Sequence, residues 1–446
     1  MSLYTTLNNK SILTKILAFL ARATIKKYKP IVIAVTGSVG KTSARTAIFD
    51  VLRSSGGSEI ATAAKNFNNE IGVALTILGI EHQGKNIVAW AKIIMRAKLR
   101  LFFSRSYPKI LILEYGVDRP GDMDYLISLA RPHIAVVTAI GDTPAHIEFF
   151  KDAEDIVNEK AKLVAALPVQ GYAILNHDDY AVYDMKEKTK AHVLTFGFEN
   201  NADVKIANYE LRVSKDAAGE ERPDGMSFKL EHNGSMVPVR LHNIFGRPAC
   251  YAAASAVAVG LVLNKNMVEI SQQLAGYEPP PGRLRLLKGN KGSFILDDTY
   301  NASPEAMRAA LATLAALPGK RKIAVLGDML EIGTYTEQAH RAIGDIVAQS
   351  VNLLITVGAR AKFIADEAMT RGTEHHSHIL RPDQIMRFDN AADAGKALDP
   401  LIQKGDVILV KGSQGMRMEK AVIEIMANPE MANSLLVRQE EYWKLK

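Results

Sequence analysis

Short apolar runs, each closed by a polar turn and followed by a helical period, recur along the chain. Residues 31–35 form the first run and read as a buried strand. Gly37, Gly40, Lys41 and Thr42 follow, and an apolar period through Ile48 and Leu52 predicts a helix. Residues 61–78 give a short segment, a polar cluster of Asn66, Asn68 and Asn69, and a helix-like run. Residues 110–113 and 133–140 read as strands, with Glu114 at the exit of one and His146 just past the other. A helix is predicted over 152–167, residues 172–185 read as a strand, an Asn-His-Asp-Asp turn beginning at Asn176 and a helix, and residues 192–200 give a further strand ending in Thr195, Phe196 and Gly197. Strands alternating with helices predict an α/β fold with a doubly wound, mostly parallel sheet.

Residues 202–240 switch to short alternating strands separated by Gly, Asp and Asn, which predict a small antiparallel excursion. Residues 248–264 are small and apolar on most sides, as a buried central helix would be. The prolines and glycine within 277–287 mark a domain boundary. The α/β alternation then resumes, with polar residues again at strand exits: Asp297, Asp298 and Asn301, then Gly327 and Asp328, then Lys411 and Ser413. The expected organisation is a helical extension over 1–29, a central P-loop domain over 30–281, and a C-terminal Rossmann-like α/β domain over 282–446.

Two amphipathic helices stand apart from this alternation. Residues 1–29 place Ile12, Leu13, Ile16, Leu17, Leu20 and Ile25 near one face. Residues 88–105 set Trp90, Ile93, Ile94, Leu101 and Phe102 among Lys92, Arg96, Lys98 and Arg100. Packing on the main body with snorkelling cations is the expected arrangement of both. Peripheral contact with a membrane or a protein partner is the alternative.

Composition narrows the class. A chain of 446 residues predicts more than one domain. Cys250, the sole cysteine, excludes a disulfide framework and a four-cysteine zinc site and fits a reducing cytosol. The net charge of +7 suits anionic substrates such as nucleotides, and with no nucleic-acid motif beside it no nucleic-acid partner is expected. The N-terminus carries no signal-peptide pattern, and no run reaches the roughly 18–20 apolar residues of a spanning helix. A cytoplasmic protein is expected, with the inner face of the membrane as a place of peripheral contact.

The strand, glycine loop and helix start at 31–52 form an anion site, because loop N–H groups and the helix dipole converge there. Lys41 suits the outer phosphates and the Thr42 hydroxyl suits Mg²⁺. Val35 stands where the full phosphate-loop pattern has a glycine. Glu114 and His146 lie where open parallel sheets bind ligands, and are metal-ligand candidates. Asn66, Asn68 and Asn69 are candidates for holding substrate oxygens, with loop geometry as the bland reading. Lys160 reads as a solvated residue of its helix.

Several motifs stand in a fixed order: TGSVGKTS at 36–43, NFNNEIGVALTIL at 66–78, LEYGVDRPGDM at 113–123, VTAIGDTPAHIEFF at 137–150, NEKAKL at 158–163, DDTYNASPEAM at 297–307, GDMLEIGTYTEQAH at 327–340 and VKGSQGMRME at 410–419. Together they resemble the Mur ligase family, ATP-dependent amide ligases of peptidoglycan precursor synthesis, and within it the branch that adds D-alanyl-D-alanine. The resemblance implies that Thr36, Gly37, Ser38, Val39, Gly40, Lys41, Thr42 and Ser43 hold ATP. It implies that Thr42 and Glu114 bind one Mg²⁺, and that Glu114, His146 and a carbamylated Lys160 hold a second. Asp298, Tyr300 and Asn301 would reach toward the nucleotide, Arg283 would act at the domain junction, and Asn176 and Thr195 would lie near the adenine. Asn66, Asn68, Asn69, Lys411 and Ser413 would face the substrate. An acyl phosphate would form and then be attacked by an amine.

Two departures accompany the resemblance. Only about 29 residues precede the first strand, where the family has a lobe for the UDP part of its substrate. Pro248 and Ala249 stand where the family pattern has His and Asn. The expected reaction joins a dipeptide to a UDP-muramoyl-tripeptide-like acceptor. A ligase acting on a UDP-free acceptor, and a nucleotide-binding scaffold without turnover, remain as alternatives.

Overall fold

The computed structural model describes residues 2–53, 59–63, 67–81, 87–144, 146–215, 219, 221–374 and 380–444. Its first sheet contains β1 Ile31–Thr36, β2 Ile60–Thr62, β3 Ile110–Glu114, β4 Ile134–Val137, β5 Tyr172–Asn176, β6 His192–Gly197, β7 Val204–Lys215, β8 Glu221–His232 and β9 Ser235–His242. The order across it is β2-β3-β1-β4-β5-β6-β7-β8-β9. Pairing is parallel from β2 to β7, and β7, β8 and β9 form an antiparallel meander.

The meander departs from the sequence expectation. It is no side excursion of short strands: β7 and β8 have 12 residues each and β9 has 8, and together they continue the main sheet. Every second residue supplies the reason. Val204, Ile206, Phe228, Leu230, Val239 and Leu241 are buried in the same core as β1, β3 and the helix Arg247–Val262. Their alternation looked local in the sequence but is spent on an existing core.

Further helices of this body include α1 Ser2–Tyr28, α2 Lys41–Arg53, α3 Glu70–Leu78, α4 Ile87–Phe103, α5 Asp122–Leu129 and α6 Ala153–Ala165. One face of the sheet is covered by α2 with the helices Arg247–Val262 and Met267–Leu274. Residues of α1, α3, α4, α5 and α6 share the core on the other face, so the sheet is doubly wound as expected.

A second sheet contains β10 Arg285–Lys288, β11 Phe294–Asp298, β12 Arg321–Gly327, β13 Leu353–Val357, β14 Ile385–Phe388 and β15 Asp406–Lys411, in the order β10-β11-β15-β12-β13-β14. Only β10 runs antiparallel to its neighbour. Its two faces carry separate cores.

Leu17, Ala18, Leu20 and Ala21 of α1 are buried with residues of α3 and α5. From α4, Trp90, Ile93 and Ala97 enter the same core. Phe102 does not join that stripe and is 73% exposed, because it lies on the side of the helix turned away from Trp90 and Ala97. Ile12, expected on the packed face of α1, is 54% exposed. Among the described residues no helix is long and apolar enough to cross a membrane.

Leu17 is fully buried, so Leu17→Ala is expected to destabilise the fold by about 2–5 kcal/mol. Urea unfolding measures this; an unchanged midpoint would show that α1 is not part of the core.

Candidate active site

The parallel register sets the site. Val35 of β1 pairs with Glu114 of β3, so the carboxylate emerges beside the start of the phosphate loop. The loop from Gly37 to Gly40 then leads into the first turn of α2. Gly37 is required on two counts. Its φ is 140°, and a Cβ would lie 2.1 Å from the Thr138 hydroxyl. Thr138 bridges the loop by donating to the Thr36 and Val39 carbonyls at 3.1 and 2.6 Å.

Glu114 is 3% exposed and surrounded by donors. Its Oε1 accepts from the Thr42 hydroxyl at 3.2 Å and from Asn68 Nδ2 at 3.4 Å. Its Oε2 has no hydrogen bond and faces the Arg45 guanidinium, with Nε at 3.4 Å. Arg45 is itself buried and donates to the Ala63 carbonyl. The Lys41 ammonium folds back onto the Gly37 and Ser38 carbonyls at 2.7 and 3.2 Å. Burial lowers the Lys41 pKa, partly offset by the charge of Glu114. A buried carboxylate oxygen without a donor, beside a hydroxyl at a phosphate loop, suits a hard cation. Among the described residues no group of three His, Cys, Asp or Glu side chains gathers into a ready-made metal site.

The second sheet closes this site into a cleft of about 580 Å³. Arg283 donates to the Thr42 hydroxyl at 3.3 Å, and its guanidinium lies 4.0 Å from the centre of the Tyr300 ring. Asn301, Ser413, Glu331, Arg417 and Trp443 line the cleft opposite Ser38, Lys41, Glu114 and His146. His146 bridges the two bodies. Its Nδ1 lies 2.8 Å from Glu331 and its Nε2 lies 3.4 Å from Asp118. The contact with His146 holds the Glu331 carboxyl below its usual range, against the opposing effect of burial. His146 thus turns its ring nitrogens toward Glu331 and Asp118 rather than toward Glu114, and its Nδ1 is buried without a hydrogen bond.

Lys160 on α6 is 2% exposed, which overturns the solvent-facing expectation. Burial, then repulsion by Lys41, pushes its pKa down to about 7. The charges of Asp118, Glu159 and Asp122 work in the opposite direction.

Other expected residues are engaged elsewhere. Asn69 caps α3 by accepting from Gly72 N at 2.9 Å. The amides of Ser38 and Val39 donate to the Ala139 carbonyl at 2.6 and 3.0 Å. Thr36 donates its hydroxyl to the Tyr115 carbonyl at 2.8 Å. Asn176 closes a turn onto Asp178 N at 3.1 Å, and the Thr195 hydroxyl pairs with Asp203 at 2.7 Å, so these strand ends serve their own turns and do not line the cleft. Lys411 is buried against Asp298 at 2.6 Å and donates to the Asn301 carbonyl at 2.8 Å, which shapes the cleft wall from behind. Ser413 accepts from Leu330 N at 2.8 Å. Pro248 and Ala249 border a separate cavity of about 50 Å³ beside Gly40 and Ser43. Asn66 lies outside the described residues.

Arg45, Asp118 and Glu331 escaped the sequence reading. Arg45 had a usable signal: it follows Thr42 by one helical turn, among the buried apolar residues Ala44, Ala47 and Ile48. Asp118 and Glu331 had none, because their meeting at His146 joins two sheets far apart in sequence.

Gly37→Ala is expected to destabilise the phosphate loop by about 1–3 kcal/mol of backbone strain and to weaken ADP binding at least tenfold, measured by calorimetry. Unaltered affinity would contradict the tight loop.

The comparisons with known proteins follow the same division. Residues 94–259 match the Mur ligase middle domain, and residues 282–414 match the domain described as Mur ligase, glutamate ligase domain. The UDP-N-acetylmuramoyl-tripeptide--D-alanyl-D-alanine ligase of Bacillus subtilis is 28% identical over 412 residues, covering 92% of this chain and 79% of the relative. The protein of that name from Mycobacterium tuberculosis (strain CDC 1551 / Oshkosh) is 31% identical over 400 residues, covering 86% of this chain and 70% of the relative. Among solved structures, MurF ligase from Thermotoga maritima in complex with ADP superposes with a TM-score of 0.73 at 25% identity, covering 92% of this chain and 82% of that one. With these matches, the fold and the ordered motifs converge on one conclusion: the chain belongs to the Mur ligase family.

Proposed function

We propose that this chain is an ATP-dependent, ADP-forming ligase of peptidoglycan precursor synthesis that joins D-alanyl-D-alanine to the carboxylate of a UDP-muramoyl-tripeptide. The observation that carries the reading is the single cleft in which Lys41 and Glu114 from the first sheet face Arg283, Tyr300, Asn301 and Ser413 from the second. The relatives named for this reaction support it. We divide the working chain into a helical extension over 1–29 and two bodies over 30–281 and 282–446, which close on each other around the reactants.

In this reading the acceptor carboxylate attacks the γ-phosphorus of ATP, ADP leaves and an acyl phosphate forms. The dipeptide amine then attacks the acyl carbon, sheds a proton, and inorganic phosphate departs. Lys41 moves from the loop carbonyls onto the transferring phosphate and spreads its charge. Arg283, already on Thr42, adds a cation from the second body. Thr42 and Glu114 would hold a Mg²⁺ ion, with His146 and Lys160 serving a second; the ions supply charge neutralisation at the phosphates. Contact of His146 with Glu331 ties closure of the bodies to the exclusion of water from the acyl phosphate. The enzyme works in the cytoplasm beside its substrates, within reach of the inner membrane face.

Lys160 would enter as a carbamate. Its amine is held near pH 7, so a large share is neutral and nucleophilic toward CO₂ under ordinary conditions. A new N–C bond forms, the nitrogen loses a proton, and the cation becomes an anion that suits a metal. The unfolded chain keeps this proton up to about pH 10.5 and the folded one releases it near 7, so Lys160 makes stability rise with pH across that window. Carbonyl-¹³C NMR with labelled bicarbonate is expected to give a carbamate signal that grows from pH 6 to pH 8 and is absent in Lys160→Met. A signal indifferent to that substitution would remove the assignment. Lys160→Ala is expected to lower turnover at least about a hundredfold.

The reaction itself is tested by ADP release from ATP, Mg²⁺ and UDP-muramoyl-tripeptide, with and without D-alanyl-D-alanine. Dipeptide-dependent release is the expected result. Release only with a UDP-free acceptor would reassign the substrate, and ATP binding without turnover on any acceptor would leave a scaffold.

A further inference from the structure

The basic character of this chain is concentrated in two helices. Of its 55 Lys and Arg residues, α1 and α4 contain nine, and they contain none of its 48 Asp and Glu. The rest of the chain carries 46 basic residues against 48 acidic ones, so the net +7 is the work of these helices alone. Nothing in the cleft described above uses them.

The two helices are fixed to each other. The Lys27 ammonium donates to the Leu101 and Ser104 carbonyls at 2.6 and 3.1 Å. The Tyr28 hydroxyl donates to the Arg100 and Ser104 carbonyls at 3.0 and 2.8 Å, and its ring stacks on Tyr107 at 4.6 Å. Both helices bury one side in the same core.

The opposite side of α4 is also apolar. Met95, Leu99, Phe102 and Phe103 are 58%, 49%, 73% and 80% exposed. Their spacing puts them in one stripe turned away from Trp90, Ile93 and Ala97. Lys98 borders the stripe on one side, Arg96 and Arg100 on the other, and Lys92 falls within it. On α1, Ile12 and Phe19 are 54% and 69% exposed, and Lys15, Arg22 and Lys26 share their outward side. Lys92, Arg96 and Lys98 pair with no carboxylate among the described residues.

We propose that the outward faces of α1 and α4 form a docking surface for an anionic phospholipid membrane. A helix with aromatic and methionine side chains on its outer stripe and only cations around them lies in the headgroup plane, apolar groups inward and ammonium groups on lipid phosphates. Each cation near an anionic surface contributes in the same direction. A second copy of the chain fits poorly, because a two-fold contact through this face would oppose cations to cations. The inference stands apart from the reaction: it rests on the outward sides of α1 and α4, which do not line the cleft.

The test is co-sedimentation of the full chain with vesicles of phosphatidylcholine alone and of phosphatidylcholine with phosphatidylglycerol. Binding is expected only to the anionic vesicles, and to fall at least tenfold when salt is raised from 50 to 500 mM, on the order expected for screening of several charges. Phe102→Ser with Phe103→Ser, and separately Arg96→Gln with Lys98→Gln, are each expected to lower binding at least tenfold while ATP binding and thermal unfolding stay as in the unaltered chain. The charge variant keeps the test valid if the phenylalanine variant folds poorly. A chain that remains in the supernatant with anionic vesicles would overturn the proposal. So would binding by both variants as strong as that of the unaltered chain, or a dimer in light scattering that either variant dissolves.

Discussion

A carboxylate buried at the end of a strand is the constraint around which the rest is arranged. Glu114 sits in the protein interior at the exit of β3, and an ionised group there must be met by donors or cations. Thr42, Asn68 and Arg45 meet it from the phosphate loop, from the asparagine turn and from the second turn of α2. Losing one partner of such a pair costs about 3–5 kcal/mol, far more than an exposed pair is worth. Strand β3, the start of α2 and the asparagine turn are thereby held at one point, and Arg283 joins them through Thr42.

The arrangement of charge around that point is graded. Lys41 and Lys160 are both driven toward neutrality by burial, and the charge of Lys41 lowers Lys160 further. Bringing in phosphates changes the balance for Lys41, which gains anions to face. For Lys160, loss of its proton relieves both the desolvation of the cation and the repulsion by Lys41. The same crowding that makes the resting site uncomfortable therefore prepares it for a highly charged ligand.

Most of the architecture was legible in the chain because apolar periodicity reports burial directly. The runs at 31–35 and 110–113, and the alternation of strands with helices, became the central sheet with its two covered faces. The antiparallel segment was seen as strands but not as part of that sheet, because alternation says that one face is buried and not against what. Among site residues, Lys41, Thr42, Glu114 and His146 were marked by their place at strand exits. Lys160 was invisible to periodicity, and only the resemblance singled it out; a lysine among Glu159 and Lys162 looks solvated until tertiary packing covers it. Asn69, Asn176 and Thr195 show what a strand exit leaves open in a sequence. Small polar residues there are as useful for capping and turns as for ligands, and here Asn69 and Asn176 accept from backbone N–H groups while Thr195 pairs with Asp203.

The pairing of Val35 with Glu114 has a further meaning for how such a chain can change over time. Side chains along a strand point alternately to opposite faces, so sliding β3 by a single residue would turn the carboxylate away from the phosphate loop and bring a leucine there instead. Position along this strand is available only in whole steps, with no intermediate setting. Insertions and deletions are thus confined to the connecting segments, and the distance between the loop and its carboxylate is inherited as an integer.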